Sequence, residues 1–287
     1  MTAVLKHELR GYFHSLTAYV FGAFLLAFVG FGSMLYNLQA AVSNFEFVLS
    51  FGSLVFVVIV PILTMRVIAE ERRQKTDQLL YSLPITTTQV VLGKYLALLV
   101  VCLPPMAIIA LYPLIFSQFG DVSLTTAYGS LLAFYVMGAA LIALGVFISS
   151  LTDNQGFAAG IGIAVILLNY YSVSLSEYAS ATAAGSAVAL GIIVLLLGLL
   201  IRHLTKNGNL AYWFCLVLLC GITGAYIVDS TLFEGLLPEI MTKLSLFERF
   251  NSFVNGVFDM TAIVFYLTVI GFFLFLSVQS LEKRRYN

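Results

Sequence analysis

Thr126–Ser150 reads TAYGSLLAFYVMGAALIALGVFISS, 25 consecutive residues without Asp, Glu, Lys, Arg or His. At 1.5 Å per residue such a helix outruns the ~30 Å hydrocarbon core that about 20 apolar residues can cross. Working outward, seven further runs share the pattern: Thr17–Tyr36, Phe47–Met65, Tyr95–Phe116, Phe157–Leu175, Ala183–Ile201, Leu210–Val228 and Met260–Gln279. Apolar residues make up 61% of the chain and charged residues 10%, with a mean hydropathy of +1.01. A soluble chain of this length carries about 25% charge. The expected fold is therefore all-α, a polytopic helical membrane protein with about eight transmembrane helices in one domain over residues 1–287.

The basic residues set the orientation. With the N-terminus in the cytoplasm and eight crossings, Lys6, Arg10, Arg66, Arg72, Arg73, Lys75, Lys94, Arg202, Lys206, Lys283, Arg284 and Arg285 fall inside, and only Lys243 and Arg249 fall outside. Both termini and the segment following the second run are expected in the cytoplasm, in a multi-pass cytoplasmic (plasma) membrane protein. The first apolar run is too long for a signal-peptide core and no small-residue cleavage site follows it. Cys102, Cys215 and Cys220 all lie within apolar runs, where free cysteine packs as a small hydrophobe rather than building disulfides or metal clusters.

Smaller signals place the remaining elements. Ala3–His14 alternates an apolar face (Val4, Leu5, Leu9, Tyr12, Phe13) with Lys6, Glu8 and Arg10, which suits a helix lying in the membrane interface. Pro104, Pro105 and Pro113 predict a kink or local break in the third span. A broken helix can line a pathway, although prolines are also ordinary in membrane spans. Gly156 and Gly160 form a GxxxG that permits close helix approach, within the chain or across a dimer. Asn169 stands near the tyrosine anchors Tyr170 and Tyr171, placed either to bond between helices or to meet a substrate. Ala183–Val228 reads as a helical hairpin. The loop Asp229–Asp259, with Pro238 as a helix start, predicts one or two short amphipathic helices on the far side.

The only dense charged stretch is Glu70–Thr86, EERRQKTDQLLYSLPIT. Arg66 and Glu70–Arg73 carry the second span beyond the lipid as a charged helix. Leu79, Leu80 and Leu83 then offer an apolar face, which Pro84 ends. Apolar side chains on a cytoplasmic loop need a cover. A partner protein would supply it, as would a loop lying flat on the membrane, and position alone does not choose between them.

Glu70-Glu71-Arg72-Arg73, Thr76, Leu79-Leu80, Ser82, Pro84-Ile85-Thr86 and Val91-Leu92-Gly93-Lys94 together resemble the coupling segment of type-2 ATP-binding-cassette (ABC) exporter permeases. In that family a cytoplasmic helix between the second and third spans docks on the ATPase subunit. The resemblance implies docking through Glu70, Glu71, Arg72, Arg73, Thr76, Leu79, Leu80, Ser82, Leu83 and Pro84, with the segment spanning residues 66–93. It extends to the interfacial N-terminus, to the turn Ser149–Gln155, and to an external helical loop before the last span. The tail residues Phe253, Gly256-Val257, Asp259, Tyr266-Leu267 and Phe272–Leu276 look most like the gliding-motility-type (Gld) branch. Implied partners are an ABC ATPase in two copies, binding ATP and Mg, a second permease chain, identical or homologous, and a third subunit with an extracytoplasmic domain. Two departures stand out. Family members often place Gly before the motif Thr, where this chain has Lys75, so a more regularly helical turn is expected. They commonly have six spans, so residues 183–228 read as an inserted hairpin.

Other functions fit less well. Gradient-driven transporters place ionisable residues inside the membrane, and the eight runs hold none, so a secondary transporter or channel-like protein is the alternative reading. No metal-binding His motif and no GxxxxGK[ST] phosphate loop occurs. No cofactor, catalytic residue or nucleic-acid partner is expected on this chain. An uncharged, aromatic-rich interior favours lipidic, hydrophobic or peptide-like cargo over small ions.

Overall fold

The computed structural model describes residues 1–76, 85–205 and 208–285, and among them every regular element is helical. The chain falls into two compact units, Met1–Tyr170 with the residues from Arg249 on, and Tyr171–Glu248. In the first unit α1 (Thr2–His14) precedes α2 (Leu16–Ser33), which a π-helical turn, Met34–Gln39, prolongs. Then come α3 (Glu46–Ser53), α4 (Phe56–Thr64), α5 (Ala69–Arg73), α6 (Thr87–Ile109), α7 (Leu111–Phe116), α8 (Leu124–Leu151) and α9 (Gln155–Tyr170). The second unit holds α10 (Ser172–Tyr178), α11 (Ala183–Thr205), α12 (Gly208–Val228) and α13 (Leu236–Leu244). Finally α14 (Leu246–Val254) re-enters the first unit, which α15 (Met260–Arg285) completes.

All eight apolar runs are helical, but not as eight straight spans. Among the described residues five helices are individually long and apolar enough to cross a membrane, and seven spans result if two broken pairs are each counted through. The eighth segment, Ala183–Leu199, is a shorter apolar helix. The second span is broken, with its halves inclined by 55°. There the Ser53 hydroxyl donates back to the Ser50 carbonyl at 2.6 Å, and the Val55 amide reaches only to Gly52. Such back-bonding competes with the helical ladder and bends it.

The expected break in the third span lies at Ala110, one turn before Pro113, and α6 runs unbroken through Pro104 and Pro105. A proline clashes with the carbonyl four residues earlier, here Ile109. The next carbonyl, that of Ala110 at the break, accepts from the Tyr128 hydroxyl of α8 at 2.9 Å. Pro105 is buried and packs toward Gly22 of α2, while Pro104 faces outward.

Helix α8 is the axis of the first unit. Of its most apolar window 78% is buried, against 33% for α2 and 22% for α15. Small residues set this burial, because alanine and glycine let neighbouring backbones approach. A Cβ on Gly138 would meet the Phe56 ring at 3.1 Å, and one on Gly145 would run into Thr64. Phe56 stacks on Phe134 at 4.6 Å between centroids, and Phe134 meets Phe250 of α14 at 5.9 Å. Gly156 and Gly160 make no such approach: a Cβ on Gly160 meets nothing within 4 Å, and one on Gly156 meets only the Asn154 side chain at 3.5 Å. Within the chain the close approach by α9 is made at Gly162, against Pro61 at 3.0 Å.

In the second unit α11 and α12 pack against each other. A 3-10 turn, Ser230–Phe233, leads to α13 through Gly235, whose φ of 68° suits a residue without a Cβ. Glu239 and Lys243, one turn apart on α13, pair at 2.6 Å on an exposed face. Where one or two short helices are expected after Asp229, the structure has α13 and α14, both strongly two-sided in their apolar pattern.

Candidate coupling site

At the end of the first unit where α1 begins and α15 ends, polar side chains tie five helices together. The second span does not run smoothly into its charged extension. Between α4 and α5 the amides of Ile68 and Ala69 donate to the Ser149 hydroxyl of α8, each at 3.1 Å. Ser149 donates in turn to the Met65 carbonyl at 3.2 Å. A single serine thus substitutes for the interrupted helical ladder and satisfies buried backbone groups that would otherwise cost about 1–3 kcal/mol each.

Arg72 follows on the same face. Its side chain is buried, donates to the Ser150 carbonyl, and stands 4.0 Å from the Asp153 carboxylate. Ser280 of α15 donates to the same Ser150 carbonyl at 2.9 Å, and Thr87 of α6 donates to Glu282 of α15 at 2.9 Å. The turn after α8 is therefore held from two sides, by α5 and by the last helix.

Lys94 is as deeply placed as Arg72. It lies in the second turn of α6 with its side chain 2% exposed, and its Nζ is 2.7 Å from Glu8 Oε1 of α1 and 2.7 Å from Glu71 Oε1 of α5. Burying an ammonium is tolerable only with such charged, hydrogen-bonded partners. The adjoining Gly93 lets α1 settle on α6, since a Cβ there would meet Val4 at 3.0 Å. Tyr12 of α1 borders the same charges; burial first, then Glu8 and Glu71, push its hydroxyl well above the ordinary pKa, so it stays neutral.

α5 ends in a tight reversal. The Thr76 amide donates to the Glu71 carbonyl at 2.9 Å and the Lys75 amide to Arg72 at 3.1 Å, while Lys75 has φ 57°. These two bonds and one left-handed residue make a Schellman cap. The more regularly helical turn expected from Lys75 is thus corrected: lysine here takes the conformation that glycine adopts freely. After the intervening residues Thr86 restarts the chain with a capping box, exchanging bonds with Gln89 at 3.3 and 3.4 Å.

The residues singled out from sequence therefore divide. Glu71 and Arg72 face inward and anchor the segment, while Arg73 is exposed and Glu70, partly exposed, accepts from Gln74 at 3.3 Å. Thr76 is half-buried in the cap. Leu79, Leu80, Ser82, Leu83 and Pro84 lie outside the described residues. Asn169 is half-buried in the last turn of α9 and is not among the residues of this cluster. The sequence alone does not mark Ser149 or Lys94 for these roles. Lys94 counts in the sequence as an inside charge and as the last residue of the coupling motif, and the apolar Val90, Val91, Leu92 and Tyr95 around it are the pattern of a buried lysine.

No curated protein gives a significant match to the chain. A family model described as ABC-2 family transporter protein matches residues 30–176, just over half of the 287 residues, and takes in α3 to α9 with the whole coupling stretch. The chain is thus a multi-pass membrane subunit that belongs to the ABC-2 family of transporter proteins, permeases that are generally non-catalytic themselves.

Proposed function

We propose that this protein is the permease subunit of an ATP-driven exporter and that the stretch from Arg66 to Gly93 receives the ATPase. The observation that carries this reading is the anchoring of α5. Its inward residues reach α1, α6 and α8 through Lys94, Ser149 and Ser150, whereas its outward residues, Arg73 and Gln74, are exposed. A segment held in this way passes a displacement to several spans at once. A loop lying passively on the membrane has no use for so many buried polar ties.

In the full assembly two such chains, identical or homologous, face each other above two ATPase subunits that hold ATP and Mg. The outward-facing glycines Gly156 and Gly160 suit helix packing across that pair. Both termini and the coupling stretch lie in the cytoplasm, a placement that the basic-residue asymmetry supports. Residues 183–228 add a hairpin to a six-span plan within one permease domain. The tail residues Phe253, Gly256 and Asp259 support the gliding-motility-type branch and, with it, an auxiliary subunit with an extracytoplasmic domain. The absence of charge from the eight apolar runs supports hydrophobic cargo and argues against a gradient-driven transporter.

The test is docking. Leu79→Asp with Leu80→Asp puts charge into an apolar contact, at a cost greater than lost contact alone. The ATPase should no longer co-purify, while the permease still inserts. Undiminished co-purification contradicts the assignment.

A further inference from the structure

Across the open end of the first unit, α1 and the coupling stretch stand on opposite walls of a cleft of about 760 Å³, with Val4, Glu8 and Tyr12 on one side and Arg66, Glu71 and Gln74 on the other. Lys94 bridges it, with one Nζ on Glu8 and on Glu71 at 2.7 Å each. We propose that Lys94 is a positioning residue that locks the interfacial helix α1 to the coupling stretch, so that both move as one body when α5 is displaced. The proposal rests on the coupling function given above.

Two features favour a lock over a purely structural ion pair. First, α1 packs on α6 and α2 with half-buried side chains, whereas its polar tie to α5 runs through Lys94. On the α6 side Val4 approaches Gly93 closely, and Tyr12 is half-buried. Second, one cation facing two carboxylates is not the cheapest way to fill a buried site, because an apolar side chain of similar volume usually serves stability as well or better. What an apolar residue cannot do is grip two separate elements directionally. The charged trio joins residues 8, 71 and 94 from three helices, and so ties α5 to the packed pair of α1 and α6 beside the cleft.

Hydrogen exchange of the full chain in lipid nanodiscs tests the lock. In the chain alone, Lys94→Met should speed exchange of the α1 amides by about tenfold or more, because removing one partner leaves buried charge uncompensated and opens the local structure. Lys94→Arg should restore slow exchange, and the amides of α8 should change in neither variant. In the complex with the ATPase, nucleotide should alter exchange in α1 and in residues 69–76 together for the wild type. In Lys94→Met only residues 69–76 should respond, with ATPase co-purification intact. Unchanged α1 exchange in Lys94→Met, or a joint response that survives the substitution, overturns the lock. Loss of the coupling function itself would instead appear as co-purification insensitive to Leu79→Asp and Leu80→Asp, a separate readout.

Discussion

Lys94 and Glu71 lie 23 residues apart in sequence and 2.7 Å apart in space, closing the chain from the end of the second span to the start of the third. The two ends of the coupling motif, the Glu-Glu pair and the Gly-Lys pair, are thus one structural feature. Glu71 and Lys94 supply the charges, and Gly93 supplies the room for α1.

The stoichiometry of this group predicts an order of stabilities. Lys94→Met leaves Glu8 and Glu71 near each other without a cation and should cost about 3 kcal/mol, at the low end for a broken buried pair because both carboxylates keep some water. Glu8→Gln and Glu71→Gln each leave the lysine one full partner and should cost about 1–2 kcal/mol. Thermal unfolding in nanodiscs measures the three. Equal losses would mean that the lysine does not bind both carboxylates at once.

Lys75 invites a gain of stability. Its left-handed backbone is strained for lysine and free for glycine. Lys75→Gly should therefore stabilise the end of α5 by about 1 kcal/mol, despite the entropy that glycine loses on folding. Slower exchange of the Thr76 amide would register it. A loss of protection would mean the turn is held by the lysine side chain instead.

Glycines should divide by what a Cβ would strike. Gly145→Ala pushes into Thr64 in the contact of α4 with α8 and should cost about 1–3 kcal/mol by overpacking. Gly160→Ala meets open space and should hold or raise monomer stability, alanine being the better helix former by about 1 kcal/mol. Cross-linking between copies should fall in Gly160→Ala if that face serves the dimer. Destabilisation of the monomer by Gly160→Ala would contradict the packing described.

Periodicity and charge carried the coarse design. Eight uncharged runs announced the helices, and the amphipathic pattern of residues 3–14 announced α1. What stayed illegible depended on contacts remote in sequence. The break before α5 is shaped by Ser149, 80 residues from the amide it accepts, and a serine inside an apolar run carries no mark of that task. Gly156 and Gly160 fit a packing motif better than Gly162, yet only Gly162 meets a neighbouring helix, because Pro61 happens to face it. Lys75 misled for a different reason. Local propensity favoured continued helix, but the cap bonds from Thr76 and Lys75 outweighed the cost of one left-handed residue.

Orientation is open to direct labelling. In a background without Cys102, Cys215 and Cys220, Ser230→Cys and Gln74→Cys each place one thiol at an exposed position. An impermeant maleimide should label Ser230→Cys on intact cells and reach Gln74→Cys only after lysis. The reverse pattern would invert the topology.

Photo-crosslinking from the coupling stretch tests the central claim most directly. A benzophenone amino acid replaces Gln74, exposed beside the Schellman cap, or Phe258, exposed before α15 as the control. Illumination of the intact assembly should join Gln74 to a nucleotide-binding subunit, with a yield that changes when ATP is added, and should join Phe258 to no such chain. An adduct from Phe258 and none from Gln74, or nucleotide-independent transport driven by an ion gradient in the purified chain alone, would contradict an ATPase acting through this segment.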